Sequence, residues 1–539
     1  MWRRALGRTA VVGSATALFV VCCLLPVAYL LVTSFFGADV AYGTLWLGPR
    51  QRRLLWTTAL LGTGTAFFAT AIGAPLGVAL ARTSLPRTAL LRGALAAPLL
   101  LPPYVVALAW TYLGSHRGPV AAIAGHDLLA EWTYSLPAAV VVLSLVFYPL
   151  AMMATEAALR RVDGRLEEAA LVIAPAGRVL WRITLPLVAP SVFAAALVIF
   201  VLAVSEFGVP GVLRVRVYST EVFTAFAALF DFGRAILVAV PLLVLCLAGA
   251  LLAAVILGDR LVSTRRGSQS PPALLNPWRR TTAVVAILVV AVALGAPLVV
   301  LLGQARGAAS WSTVVAGSGD AITNSLLLAA AGATAVVIVA VWLGHARARA
   351  GRRRGQLVDT LFLTVFAVPG TIVGVGLIGL WNQPGLFGAV YGTDAMFVLA
   401  YLARFVPVAA LVLAASTRQV PVSHEEAAAV AGAGWLRTMS RIVLPQIRLA
   451  IVAAWMIAFI LSFGELGVSI LVAPPGEATL PIRIYTIIAN TPPSHVAVLA
   501  LLQTAVVFVP LAVLGVVTSI HSWTLMQRVV RTGEGTRLR

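Results

Sequence analysis

The sequence predicts an all-α integral membrane protein of about twelve transmembrane helices, built as two parallel six-helix repeats. Three observations carry this. Of 539 residues, 60% are hydrophobic and only 11% are charged, whereas a soluble globular chain carries roughly 25% charged residues. The apolar residues fall into twelve stretches, each of about 20 residues, the length that crosses a ~30 Å hydrocarbon core. Segments of the first half also recur in the second at nearly constant offsets. A mean hydropathy of +0.98 fits no soluble enzyme, disordered chain or disulfide-stapled secreted domain.

In chain order the stretches lie near 11–36, 57–81, 90–113, 134–155, 187–210 and 235–258, and then 281–303, 324–344, 357–381, 394–415, 447–473 and 497–520. Each is read as a helix, because an open strand leaves backbone groups unpaired in lipid. Met1-Trp2-Arg3-Arg4 followed by an apolar run resembles a signal peptide. The run is long and no clean small-x-small site follows, so it is read as an uncleaved first span. All 39 basic residues are Arg. With the N-terminus inside, 29 of them fall in inner segments and nine in outer ones. That bias places both termini in the cytoplasm of a bacterial plasma membrane. Arg50, Arg52 and Arg53 dissent, as an outer cluster close to a span boundary.

The repeat is explicit. Thr57-Thr58 through Gly77 to Arg82 aligns with Asn324-Ser325 through Gly344 to Arg349 at an offset of 267, which Pro102 and Pro369 share. Glu167-Glu168-Ala169-Ala170 recurs as Glu425-Glu426-Ala427-Ala428 at 258, and Leu185-Pro186 as Leu444-Pro445 at 259. Six spans per half is an even number, so both halves enter the membrane in the same sense. The organisation is therefore a first half at 1–264, a cytoplasmic linker at 265–280 containing Arg265-Arg266-Gly267-Ser268-Gln269-Ser270-Pro271-Pro272, and a second half at 281–539.

The absence of Lys rules out the P-loop that holds β/γ-phosphates through a lysine. The Arg residues sit in short loops between apolar runs, which is a membrane pattern and not a nucleic-acid one. Cys22, Cys23 and Cys246 lie in apolar runs with no metal or disulfide spacing. His116, His126 and His495 fall outside, with Asp127 and Glu131 near His126, but no tight spacing joins them, and no metal ligands are assigned.

The two long inner loops, 156–186 and 416–445, share one pattern. In the second it runs Glu426-Ala427-Ala428, three residues, Gly432, nine residues, then Ile442-Val443-Leu444-Pro445. Glu-Glu-Ala-Ala starts a helix well, since acids favour the N-terminal dipole and Ala has the best propensity. Gly432 permits a turn with positive φ. Pro445 suits the first turn of the next helix. In the first copy Glu168-Ala169-Ala170 and Ile183-Thr184-Leu185-Pro186 are in place, but Ala174 stands where Gly is expected, Gly177 comes later and the loop is one residue shorter. The bland reading of either copy is an Ala-rich surface helix. Two copies at matched places argue for a shared task.

The pattern resembles the EAA loop of binding-protein-dependent ABC importer permeases. The resemblance implies a type I importer permease fold. It implies that Glu167, Glu168, Ala169, Ala170, Gly177, Glu425, Glu426, Ala427, Ala428 and Gly432 couple the chain to two copies of a separate ABC ATPase. ATP and Mg would be bound by that partner, with no cofactor in this chain. An extracytoplasmic binding protein would deliver cargo, and the remaining partner is membrane lipid. The double length, together with Ser205-Glu206-Phe207-Gly208-Val209-Pro210, Phe463-Gly464-Glu465-Leu466-Gly467 and Leu480-Pro481-Ile482-Arg483-Ile484-Tyr485, resembles the fused iron(III) permeases. The thiamine and phosphonate importers, and an ion-driven carrier of two six-span halves, stay open as alternatives.

Glu206 and Glu465 sit at equivalent places, offset by 259. An ionisable group within a span is costly and is a pathway candidate. The alternative is a local hydrogen bond or an Arg partner. Pro102-Pro103 and Pro369-Gly370 break the third span of each half, either to line the path or to kink for packing. Arg404 lies in a span and needs an acid, a carbonyl or an anion. Gly374-x-Gly376-x-x-Gly379 has no preceding strand and reads as close helix packing.

Overall fold

The structure, a computed structural model, describes residues 2–36, 48–85, 87–115, 128–257, 275–308, 310–385 and 387–510. His116, His126, Asp127, His521, most of the linker and the end of the last apolar run lie outside these residues. Among the described residues there is no strand.

Twelve helical runs follow the twelve apolar stretches. In the first half they are α1 (Gly7–Phe36), α2 (Pro49–Arg82), α3 (Thr88–Leu100 and Pro103–Leu113), α4 (Leu136–Leu159), α5 (Ala176–Ser205) and α6 (Phe232–Ile256). In the second they are α7 (Asn276–Ala305), α8 (Gly319–Ala348), α9 (Arg352–Phe366 and Gly370–Trp381), α10 (Ala395–Thr417), α11 (Trp435–Gln446 and Arg448–Phe463) and α12 (Pro493–Pro510). Nine are long, apolar and unbroken, while α3, α9 and α11 bend by 88°, 90° and 78°. The bends of α3 and α9 coincide with Pro102-Pro103 and Pro369, where missing N–H groups interrupt the helical ladder. The second span starts at Pro49, earlier than the apolar pattern places it. At 1.5 Å per residue its 34 residues span about 51 Å, more than the ~40–45 Å of a whole bilayer. Arg50, Arg52 and Arg53 therefore stand clear of the hydrocarbon on its first turn.

Within each half the long second span is the backbone of the packing. In the first half α2 lies along α4 and α5, and in the second α8 lies along α10 and α11. The repeated glycines set that approach. A Cβ on Gly77 would sit 2.5 Å from the Met152 carbonyl oxygen, and one on Gly344 would sit 3.0 Å from that of Ala410. The repeated hydroxyls also share one task. Thr58 Oγ1 accepts from the Tyr218 amide at 3.0 Å, and Ser325 Oγ accepts from the Leu480 amide at 2.5 Å. Each anchors the first residue of a short helix, Tyr218–Phe223 or Leu480–Ile487, at the same end of the bundle.

The first span of each half packs on the other half. α1 lies against α8, α9 and α10, while α7 lies against α2 and α3. Gly376 and Gly379 of α9 meet Pro26 and Tyr29 of α1 so closely that no Cβ fits, which is the small-residue packing the sequence indicated. At the base of α7, Leu275 donates to the Arg82 carbonyl at 3.1 Å, and Ser84 Oγ donates to Asn276 Oδ1 at 2.8 Å. Cys22, Cys23 and Cys246 are buried free thiols.

Replacing Gly77 with Leu is expected to force α2 from α4, an overpacking cost of about 1–3 kcal/mol. Size-exclusion profiles of the detergent-solubilised protein should show loss of the monodisperse peak. Gly93→Ala, at a position with open space around it, should leave the profile unchanged.

Candidate functional site: paired loops and a broken-helix centre

The two loops fold alike. The first begins with helix Gly164–Leu171, capped by Asp163, whose Oδ1 accepts from the Arg165 amide at 3.1 Å. The second begins with helix Val422–Val430 behind Pro421. In both, helical spacing sorts the four motif residues. Glu167 and Ala170 point inward and are buried, while Glu168 and Ala169 are exposed. Ala428 is buried and Glu425 half-buried, while Glu426 and Ala427 are exposed. The motif therefore splits into an anchoring pair and a presenting pair, three residues apart on one face.

Glu167 is held by Arg82, the last residue of α2. The Arg82 Nε to Glu167 Oε1 distance is 3.1 Å, and neither side chain has any exposed surface. Arg82 also donates to the Leu159 carbonyl at 3.0 Å, and Thr184 Oγ1 donates to Glu167 Oε1 at 2.7 Å. In the second half Arg349 Nε donates to Glu425 Oε1 at 2.8 Å and Nη2 to the Val420 carbonyl at 3.0 Å. His345 Nε2 lies 3.2 Å from Glu425 Oε2. The third partner has changed places between the copies. Val78 is matched to His345 and Val443 to Thr184, so each half has one polar helper and one valine in the opposite slots. With Val78 in that slot, Glu167 Oε2 is buried without a hydrogen-bond partner among the described residues.

Gly177 does not make the turn of the first loop. It lies inside helix Ala176–Val179, and a Cβ there would meet nothing. That turn runs through Ala174-Pro175 with no positive φ, whereas Gly432 adopts φ 85° in the second loop. The reason is the missing residue: the shorter loop closes as a continuation of the helix, with the Ala174 amide donating to the Ala170 carbonyl at 3.0 Å. Beyond the motif both helices end in bare apolar side chains. Val172 and Ile173 are 84% exposed and Val430, matched to Val172, is 90% exposed.

A neighbouring ion network also recurs with its charges exchanged. In the first half Arg92 of α3 and Arg160 hold Glu156 of α4, with Nε–O distances of 3.0 Å from Arg92 and an Nη2–O distance of 2.7 Å from Arg160. In the second, Asp359 of α9, matched to Arg92, is held by Arg347 of α8 at 2.5 Å and by Arg418, matched to Arg160, at 3.8 Å. Glu156 carried no sequence signal before this pairing was visible.

Farther into the bundle the four pathway candidates come together where the halves meet. Pro102 caps the second segment of α3 and packs on Gly464, whose Cβ position is 3.4 Å from Pro102 Cγ. Pro369 caps the second segment of α9, and a Cβ on the adjoining Gly370 would be 3.0 Å from Glu465 Oε1. Gly208 leaves room for Tyr104, whose Cβ would lie 2.8 Å from a Cβ placed there. Both carboxylates have local partners. Glu206 Oε1 accepts from the Gly208 and Val209 amides at 2.9 and 3.4 Å, and Glu465 Oε1 from the Val468 amide at 3.0 Å. They differ at the second oxygen. Glu465 Oε2 lies 3.7 Å from Arg404 Nη2, while Arg404 Nη1 donates at 2.6 Å to the Val368 carbonyl beside the α9 break. Arg404 thus finds both the acid and the carbonyl it needed. Tyr104 and Gln503, both buried, are hydrogen-bonded to each other. Gln503 was missed in the sequence, where a lone amide in the last apolar run was the available signal. Among the described residues no group of three or more His, Cys, Asp or Glu is placed to hold a metal.

Glu167→Ala is expected to destabilise the protein by about 3–5 kcal/mol, because Arg82 is left charged and buried. Glu425→Ala should cost less, since water reaches Arg349 and Glu425. Thermal unfolding of the two purified variants should rank them in that order.

The comparisons with known proteins agree with this geometry. A model of the family described as binding-protein-dependent transport system inner membrane component matches residues 73–262 and again residues 336–531. Fe(3+)-transport system permease protein FbpB 2 of Haemophilus influenzae is 23% identical over 460 residues, covering 81% of this chain and 84% of that protein. Putative ferric transport system permease protein FbpB 1 of the same organism is 23% identical over 398 residues, covering 67% of this chain and 61% of its own length. Putrescine transport system permease protein PotI of Escherichia coli is 29% identical over 239 residues, 40% of this chain and 81% of that protein. Two family matches, one in each six-helix half and together spanning well over half of the chain, mean that this protein belongs to the binding-protein-dependent transport system inner membrane components, the transport subunits of ABC importers.

Proposed function

We propose that the chain forms the membrane translocation pathway of an importer for iron(III) or an iron complex. Two copies of an ABC ATPase dock on the paired loops and an extracytoplasmic binding protein docks at the opposite end. Both termini lie in the cytoplasm, on the side of the loops. The observation that carries this reading is the pair of loops, each anchored by an Arg–Glu contact at the base of a long span and each presenting an exposed Glu-Ala pair with a bare valine. Closure of the ATPase dimer would move both loops, and the anchors would pass that movement into α2 and α8. ATP is bound and hydrolysed by the partner.

Iron as cargo is supported by the double-length relatives named for ferric transport and by two carboxylates at the centre of the bundle. Glu206 Oε2 has no hydrogen-bond partner among the described residues, which leaves it free to meet a cation.

Purification of the tagged chain from its native membrane in mild detergent, followed by mass spectrometry, tests the assembly. An ATPase and a binding protein should co-purify, and metal analysis of that binding protein should find iron. Repeated preparations without either partner would favour an ion-driven carrier. Ala427→Glu, on the presented face, should leave the fold intact and cut ATP-dependent uptake at least tenfold. Ala428→Glu should instead lower stability, since it buries a charge. In reconstituted vesicles Glu206→Gln combined with Glu465→Gln should reduce iron uptake at least tenfold, and unchanged uptake would remove both residues from the pathway.

A further inference from the structure

The end of the bundle opposite the loops is charged unequally. The first turn of α2 carries Arg50, Arg52 and Arg53, and the matched positions at the start of α8 are Gly317, just before it, Gly319 and Asp320. Aligned on the two short helices, Arg214 and Arg216 in the loop before Tyr218–Phe223 fall opposite Gly476 and Ala478, and Tyr218 falls opposite Leu480. Arg50 is neutralised by Glu221 at 2.7 Å, which also lies 3.4 Å from Arg234. The others are not. Arg52, Arg53 and Arg216 are exposed and have no carboxylate partner among the described residues, and the exposed Arg214 rests over the Tyr134 ring at 5.6 Å. In the second half Asp320 and Glu477 are exposed, and Asn324 Nδ2 holds Glu477 Oε2 at 2.6 Å.

We infer that this polarity is a docking code, and that it seats an acidic lobe of the binding protein on the first half and the other lobe on the second. The inference rests on the importer reading above. Arginines on the exported side work against the charge bias that orients membrane proteins. The second half also exposes Arg306 and Arg483 there, beside its exposed Asp320 and Glu477, so it is the excess of Arg on the first half that calls for a partner. Binding proteins close two domains around cargo, and a near-twofold permease would accept such a partner in two orientations. Unequal charge removes that ambiguity, because complementary potentials fix register and penalise the reversed pose. The basic loop is also wired to the centre. Arg214 adopts φ 55°, its amide donates to the Gly211 carbonyl at 3.3 Å, and Ser219 Oγ donates to the Glu206 carbonyl at 2.8 Å. A partner that grips Arg214 and Arg216 therefore pulls on the segment that carries Glu206. A lipid headgroup offers no comparable reason for the excess of charge to lie on one half.

The test uses the full complex, with its own ATPase and binding protein, in nanodiscs of neutral lipid. ATP hydrolysis is titrated with cargo-loaded binding protein at low and high salt. Combining Arg52→Glu, Arg53→Glu, Arg214→Glu and Arg216→Glu should raise the half-saturating concentration at least tenfold. High salt should weaken the wild type far more than this variant. Arg52→Gln with Arg53→Gln should shift the same way by a smaller factor, which guards against a folding defect in the fourfold change. Asp320→Arg with Glu477→Arg should also weaken docking severalfold, whereas tighter docking would show a bulk charge attraction and overturn the code. Unchanged half-saturation in the fourfold variant would overturn it while leaving the importer reading standing. A defect that arises only when anionic lipid is added would overturn it in favour of headgroup binding. No stimulation of the wild type by the binding protein would overturn the importer reading itself.

Discussion

A carboxylate at the start of a loop helix, pinned by the arginine that ends the long second span, is the contact on which the rest of this architecture depends. In the first half both partners are sealed from solvent. The pair is made of residues 85 positions apart, so it fixes the position of the loop as well as its stability. Without it the loop helix would keep only apolar contacts, such as those of the buried Ala170 and of Leu171. With it, any force on the loop reaches α2, and α2 is the element against which α4 and α5 are packed. A buried ion pair is seldom the most stabilising choice available. Its value here is geometric: a charged contact specifies one position, where an apolar contact would tolerate sliding.

The repeat shows how two copies of one design diverge without losing that contact. Where the first half uses Thr184 as the second donor to the carboxylate, the second uses His345, and each gives up the other's slot to valine. Where the first half places Arg92 against Glu156, the second places Asp359 against Arg347. What has been preserved is the satisfaction of buried charge, which is costly to violate, while the chemical identity of each participant has been free to change. Arg404 departs further. It is matched to Val146 and lies 3.7 Å from one carboxylate of the centre, that of Glu465.

Much of the fold was legible in the sequence because lipid leaves few choices. Twelve apolar stretches became twelve helical runs, and the prolines at 102 and 369 broke two of them where expected. Thr58 and Ser325 were visible as repeated positions, but their task as anchors for Tyr218 and Leu480 was not, since it joins residues far apart in the chain. The four motif residues were legible as a group. Their division into inward and outward members needed the helix phase relative to α2 and α8. That Gly177 comes after the expected glycine position was legible; that it lies inside a helix, beyond the turn, needed the path of the shorter loop. Glu221 and Gln503 stayed hidden because each is defined by partners far away in the chain, and Glu156 because its Arg92 partner lies on another helix.

The crossing of α1 and α7 into each other's halves has a consequence for how such a chain can change over time. When two halves are separate molecules, each must interlock with whatever copy it meets, and a surface that suits only one counterpart risks idle pairings. Covalent joining makes the encounter intramolecular and raises the effective concentration of the right counterpart far above that of any competitor. The exchanged spans then lock in place a pairing that was never in doubt. Each half is thereby released from having to recognise itself, and specialisation on one side of the axis carries no penalty of mistaken assembly.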